Sequence, residues 1–289
     1  MHEGWEVFYF PYASCFACID HGSFKTQNWK AMTMKFSEFA KQFKFNPDKK
    51  LWVGVERECF LTNKEGTILP LAQSVLSHFK DETEFGYELS ACQLETRIGP
   101  CRIQYVSRRI QSSEKKLNAL ENQLGFRRCH NEVAPENMPL DVYPDPTGRY
   151  QRITLNMPRE VLLAACRVIG THIHIGMPDF ETALRVYNRA LSYIPTLCRS
   201  GDNSSGRRLE IYKIMAPNCL PPYYNSLVEF YETALANKFD ADPRRCWHLV
   251  RISIHGTIEF RMFGTTEKID RVVEWARQCY ELCKYGLTA

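Results

Sequence analysis

Three pairs of polar residues stand two apart inside apolar, β-branched or aromatic stretches: Glu56 and Glu58 in VGVERECFL, His172 and His174 in RVIGTHIHIGMPD, and Glu259 and Arg261 in GTIEFRMFG. Side chains two apart on a strand share a face, so each pair offers its polar groups side by side. For a single pair, the solvent face of an amphipathic strand is the simpler account. Three pairs weaken it, because charge placed among such residues opposes burial unless it is paired or holds a metal. A fourth segment, YELSACQLETR, adds Glu88 and, within the strand-like alternation QLETRI, Glu95. Hard divalent cations take carboxylate oxygens, a neutral imidazole can complete the shell, and arginine binds phosphate oxygens through a planar fork. That inventory suits phosphoryl transfer, with carboxylates enough for more than one cation.

Rival motifs are weaker. The sequence has no GxxxxGK[ST] and no GxGxxG, which disfavours a P-loop or a Rossmann dinucleotide site. HIHIG resembles part of a metal-hydrolase motif, but HExxH is absent, and the carboxylate-bearing segments exceed what one catalytic zinc needs. Cys15 and Cys18, followed by His21, have the spacing of half a zinc or redox site without a second half. The other cysteines are scattered, several in apolar segments, and read as buried thiols.

The elements that must position these groups follow from periodicity. Leu51 to Thr62, Val168 to Met177 and Leu249 to Phe263 have strand character. Ser107 to Leu124 carries Ile110, Leu117, Leu120 and Leu124 on one helical face; Phe180 to Leu197 and Lys268 to Tyr285 are further amphipathic helices, with Pro195 expected to end or kink the former. The polar run Glu132 to Gly148, with four prolines, reads as a surface loop. Residues 1–33 are aromatic-rich without periodicity and read as an appendage, which leaves residues 34–289 as the catalytic domain. Strands alternating with helices at these intervals imply an α+β or α/β fold.

Composition bounds the rest. The chain has 289 residues, 44% hydrophobic and 24% charged, which suits a globular protein. A net charge of +4, without a long basic block, disfavours a nucleic-acid or membrane-surface partner and fits a small anionic ligand. No apolar run is long enough to span a membrane, and the N-terminus lacks a secretory pattern, so the expected compartment is the cytoplasm. A homo-oligomer is compatible with the sequence but not specified by it.

GVERE, ELSACQLETRIGPC, GTHIHIGMPD, the run from ALSYIPTLCRSGDNSSGRRLEIYK to APNCLPP, and GTIEFRMFG occur in an order that resembles the family-two glutamate-cysteine ligases, also called carboxylate-amine ligases. The resemblance implies a glutamine-synthetase-like fold of the α+β class, a curved antiparallel sheet with helices on its convex side. It implies that Glu56, His172 and Glu259 surround one cation and Glu58, Glu88 and Glu95 another. His174, Arg261 and Arg208 would contact phosphate oxygens or a substrate carboxylate. ATP with Mg²⁺ or Mn²⁺ would be the cofactors, and amino acids the substrates, joined through an acyl phosphate into γ-glutamylcysteine. The family's SYR-like segment reads GRR here, so Arg207 could exchange roles with Arg208. Family members continue beyond this last strand, whereas the sequence ends at Ala289; a missing C-terminal part would leave one substrate pocket incomplete. The GTIEFRMFGTT end also resembles the amidoligases of the same superfamily, which leaves the amine open. A metal-dependent hydrolase and a nucleotide- or metal-binding protein without turnover are the remaining alternatives.

Overall fold

A computed structural model of the chain describes residues 35–79 and 83–288. Its seven strands form one antiparallel sheet: β1 (Val53–Thr62), β2 (Phe85–Tyr87), β3 (Gln93–Cys101), β4 (Arg127–Cys129), β5 (Thr171–Gly176), β6 (Val250–Ser253) and β7 (Thr257–Phe263). The order across it is β2-β3-β1-β5-β7-β6, with β4 pairing the end of β1. Nine helices have both ends within the described residues: α1 (Ala72–Leu76), α2 (Val106–Leu124), α3 (Arg149–Thr154), α4 (Arg159–Arg167), α5 (Phe180–Ala190), α6 (Ile194–Gly201), α7 (Arg207–Met215), α8 (Leu227–Ala236) and α9 (Ile269–Thr288). The architecture is α+β.

Strand alternation divides the sheet into two chemically distinct faces. Val53, Val55, Ile98, Ile173, Ile175, Val250, Ile252, Ile258 and Phe260 belong to the main core with Val106 and Ile110 of α2, Leu184 and Tyr187 of α5, and Trp275 and Cys279 of α9. Burying such side chains contributes about 1.5–3 kcal/mol each. The other face carries the polar pairs. Arg57 lies between Glu56 and Glu58 and therefore points among the helices. There its guanidinium meets Glu114 of α2 at 2.5 Å and the carbonyl of Thr266 at 2.9 Å.

Several expectations need correction. The single strand expected over Leu249 to Phe263 is a hairpin, β6 and β7, because Gly256 takes a positive φ of 69° and its amide reaches back to the Ser253 carbonyl at 2.9 Å. The helix expected over Phe180 to Leu197 breaks after Ala190 into a 3₁₀ turn, and Pro195 starts α6, where a missing N–H costs nothing. The run Glu132 to Gly148 is a loop but not a purely superficial one: Glu132, Ala134, Met138, Tyr143 and Asp145 are buried in it. The expected appendage, with Cys15, Cys18 and His21, lies outside the described residues. Phe39 and Phe43, just beyond it, are already in the core. Among the described residues, every cysteine is a free thiol, and no helix is long and apolar enough to cross a membrane.

Candidate functional site

The strand register turns the sequence pairs into rows across the sheet. Arg97, Glu56 and His172 form one row across β3, β1 and β5, with Glu56 between the other two; Glu95 faces Glu58; and Gly54, His174, Glu259 and Arg251 follow one another on β1, β5, β7 and β6. Residues directly opposite on one face have Cβ atoms about 4.5–5.5 Å apart, so the rows force these groups together. Gly54 leaves room at one point, since a Cβ there would come within 3.3 Å of the His174 Cβ. All of these side chains line a cavity of about 1190 Å³ over the polar face.

Two groups of potential ligands form within it. One oxygen or nitrogen from each of Glu56, His172 and Glu259 lies within 4.8 Å of the others, and the same holds for Glu58, Glu88 and Glu95. Glu88 arrives from the segment after β2 rather than from a long strand. His172 joins the groups, with Nδ1 3.2 Å from Glu56 Oε2 and Nε2 3.6 Å from Glu58 Oε1.

The two groups differ in charge balance. Glu259 is fully buried, yet Arg251 grips both its oxygens at 2.7 and 3.0 Å and Arg261 also pairs with it. Burial opposes its ionisation, but the two guanidinium groups hold its carboxyl far below the usual range. Burial acts likewise on Glu56, and His174 and His172 overcome it, so that carboxyl too is held low. Burial, with the charge of Arg261, takes His172 down to about 4, leaving a neutral imidazole fit for ligation. His174 is held above its ordinary value because the charges of Glu56 and Glu259 outweigh its burial.

The second group lacks such balance. Burial pushes Glu58 up to about 7 in spite of Arg208 and the Gly170 amide. Burial and the nearby Glu56 push Glu95 to about 7, although Arg97 pairs with it at 2.5 Å. Burial, then Glu95 and Glu58, raise Glu88 well above the carboxylate range. Three mutually repelling carboxylates, two buried and Glu88 half-buried, offer hard oxygen donors that fit a divalent cation, which would supply the missing positive charge.

A pH dependence follows. A carboxylate whose native pKa is raised binds extra protons when folded; the stability this gives is complete below its unfolded value and is lost as pH rises through 7. His172, His130 and His248, all depressed, act in the opposite sense only below their ordinary value near 6.5. The carboxylates therefore dominate above it. Urea midpoints of the metal-free chain should fall between pH 6.5 and 8, and saturating Mg²⁺ should remove the fall; equal slopes with and without Mg²⁺ would exclude the acidic trio as a cation site.

The placement of the arginines divides the expectations. Arg261 lines the cavity, its guanidinium carbon 5.7 Å from the centre of the Trp247 ring, and its Nε is buried with no hydrogen-bond partner. His174 also reaches the cavity; Nδ1 meets Thr257 Oγ1 at 2.9 Å and Nε2 stands 3.4 Å from Glu56 Oε2 and 4.0 Å from Glu259 Oε2. Arg208 does not line the cavity. Its nitrogens reach the carbonyls of Ile169, Met262 and Arg261 at 2.7, 3.2 and 3.3 Å, which holds the buried guanidinium away from the cavity. That expectation is corrected. Arg207 is exposed and is no substitute. Arg251, which the sequence reading missed, was hidden by taking β6 and β7 as one strand: only a turn at Gly256 places it opposite Glu259.

Residues 52–204, just over half the chain, match the family model described as Glutamate-cysteine ligase family 2 (GCS2). A protein of Roseiflexus sp. (strain RS-1) with the provisional name glutamate-cysteine ligase 2 is 24% identical over 204 residues, covering 65% of this chain and 53% of its own. A similarly named protein of Rhodococcus jostii (strain RHA1) is 27% identical over 164 residues, covering 53% of this chain and 42% of its own. The chain thus spans about half the length of the curated relatives it matches. The crystal structure of a bifunctional glutathione synthetase from Pasteurella multocida shares the fold, with a TM-score of 0.58 at 13% identity over 90% of this chain and 43% of that one.

Proposed function

Because this chain belongs to the glutamate-cysteine ligase family 2, we propose that it is an ATP-dependent carboxylate-amine ligase, with glutamate and cysteine as its substrates and the cytoplasm as its compartment. The observation that carries this reading is the pair of three-residue ligand groups on one cavity wall beside the Arg261 guanidinium. Glu58, Glu88 and Glu95 would hold one Mg²⁺ or Mn²⁺, and Glu56, His172 and Glu259 another. The cations would neutralise triphosphate charge when bound.

The chain's own groups do the rest. Arg261 and the Nε2–H of His174 face the phosphate oxygens, positioned by strands rather than loops, so they need little reorganisation as charge shifts. The γ-carboxylate of glutamate attacks the γ-phosphorus of ATP, the bond to the ADP oxygen breaks, and an acyl phosphate forms. The amine then attacks the acyl carbon, expelling phosphate and losing its proton. Enclosure in the cavity limits water as a competing nucleophile.

The test is phosphate release from ATP in the presence of Mg²⁺, glutamate and an amine. Release that needs both the carboxylate and the amine is the expected result. Turnover with zinc and without ATP would overturn the reading in favour of a hydrolase, and ATP binding with no turnover would favour a non-enzyme. The half-exposed Ile153, Met157, Val161 and Ala165 also line the cavity, at four-residue spacing and outside the core clusters. That apolar wall favours, as a second reading, an amidoligase taking a larger amine, and comparing cysteine with bulkier amines separates the two.

A further inference from the structure

We infer that Arg208 is a positioning residue that sets the candidate cation ligand Glu58 and the phosphate-facing Arg261 at the same time, without touching either ligand. The inference rests on the proposed cation site. Arg208 is buried at 3% exposure in the first turn of α7, its backbone amide held by Ser204 Oγ at 3.0 Å. Its Nε donates to the carbonyl of Ile169 at 2.7 Å. The N–H of that same peptide unit, on Gly170, donates to Glu58 Oε2 at 2.7 Å. One peptide group thus relays the guanidinium to the carboxylate, and hydrogen bonds chained in this way polarise and strengthen one another.

The remaining nitrogens serve the other end of the site. Nη2 donates to the carbonyl of Arg261 and Nη1 to that of Met262, the two peptides that follow the Arg261 side chain. These bonds lie where the pairing of β5 and β7 shifts register, between the partners Ile173–Phe260 and Thr171–Phe263. Backbone there is not fixed by a regular ladder, so the fork supplies what the sheet omits. Gly170 fits the same arrangement, because a Cβ on it would stand 2.2 Å from Arg208 Nη2. Only a planar fork reaches carbonyls on β7 and on the segment before β5 at once; an ammonium in its place has the charge but not the span.

Arg208→Lys keeps the charge and breaks the relay, so any change in cation affinity reports geometry rather than repulsion. Mn²⁺ binding by calorimetry, without nucleotide, should weaken about ten-fold or more, as for other outer-shell partners of metal ligands. Metal-free ATP binding should weaken as well, through Arg261, whereas a residue that only touched phosphate would leave nucleotide-free Mn²⁺ affinity unchanged. Gly170→Ala displaces the fork from the other side and should weaken Mn²⁺ in the same way. Wild-type Mn²⁺ affinity in a folded Arg208→Lys variant overturns the inference. So does loss of folding in both variants, since Arg208 would then serve the fold rather than the site. A wild-type chain that binds no Mn²⁺ would instead fail the cation site itself.

Discussion

Glu88→Gln should abolish the rise in melting temperature that Mg²⁺ gives the wild-type chain, while leaving the metal-free melting temperature unchanged or higher. Glu88 sits with Glu58 and Glu95, and the charges that act most strongly on it are carboxylates. Glutamine keeps the shape without the ionisation that burial and the neighbouring carboxylates oppose, so the metal-free fold loses little by the change. Ligand linkage sets the size of the effect. At a free cation concentration 100 times Kd the wild type gains about 2.7 kcal/mol, and a 100-fold weaker site gains only ~0.4 kcal/mol. Differential scanning calorimetry with and without Mg²⁺ reads both numbers. A variant that keeps the full cation-induced shift removes Glu88 from the ligand set, whereas one that melts early under both conditions reports damage to the fold.

Arg261→Lys should lower the kcat of ATP-dependent amide formation by about ten-fold or more, with a smaller change in KM for ATP. Arg261 is buried between Glu259 and Trp247, and one of its nitrogens has no partner within the protein. A donor waiting for charge that builds up on a transferring phosphoryl group acts mainly in the transition state, which separates kcat from KM. If Arg261 serves only to neutralise Glu259, a lysine does so nearly as well. Steady-state kinetics at unchanged kcat would therefore reduce it to a partner of Glu259 and leave the phosphate without its proposed clamp.

Much of the site was legible because strand geometry has a period of two. Glu56 with Glu58, His172 with His174, and Glu259 with Arg261 each announced a shared face, and the register places them in adjacent rows. Glu88 could not be placed this way: it lies in the short connection after β2, where no periodicity applies, and its membership of a ligand group came only from the family resemblance. Arg208 sits on a helix of weak amphipathicity, so no periodicity indicated where its side chain points, and the phosphate role expected of it gave way to three backbone carbonyls. The hairpin at Gly256 was the costliest omission. Reading Leu249 to Phe263 as one strand put Arg251 far along the same strand from Glu259 instead of across from it.

The central position of β1 bears on how the chain is made. Its partners are β3, which follows closely, β4 at its end, and β5, which follows only after more than a hundred residues; β7 and β6 complete the sheet later still. Pairings this distant along the chain place the protein among slow, high-contact-order folders. During synthesis the acidic residues of β1 and β3 leave the ribosome first, and the guanidinium groups of Arg251 and Arg261 follow roughly 10–40 s later at 5–20 residues per second. Until β5 follows, one edge of β1 has no strand to pair with, and for the whole interval its carboxylates have few of their eventual counter-charges. A nascent chain halted before β7 carries five of the six proposed cation ligands, lacking only Glu259, yet cannot close the sheet around them.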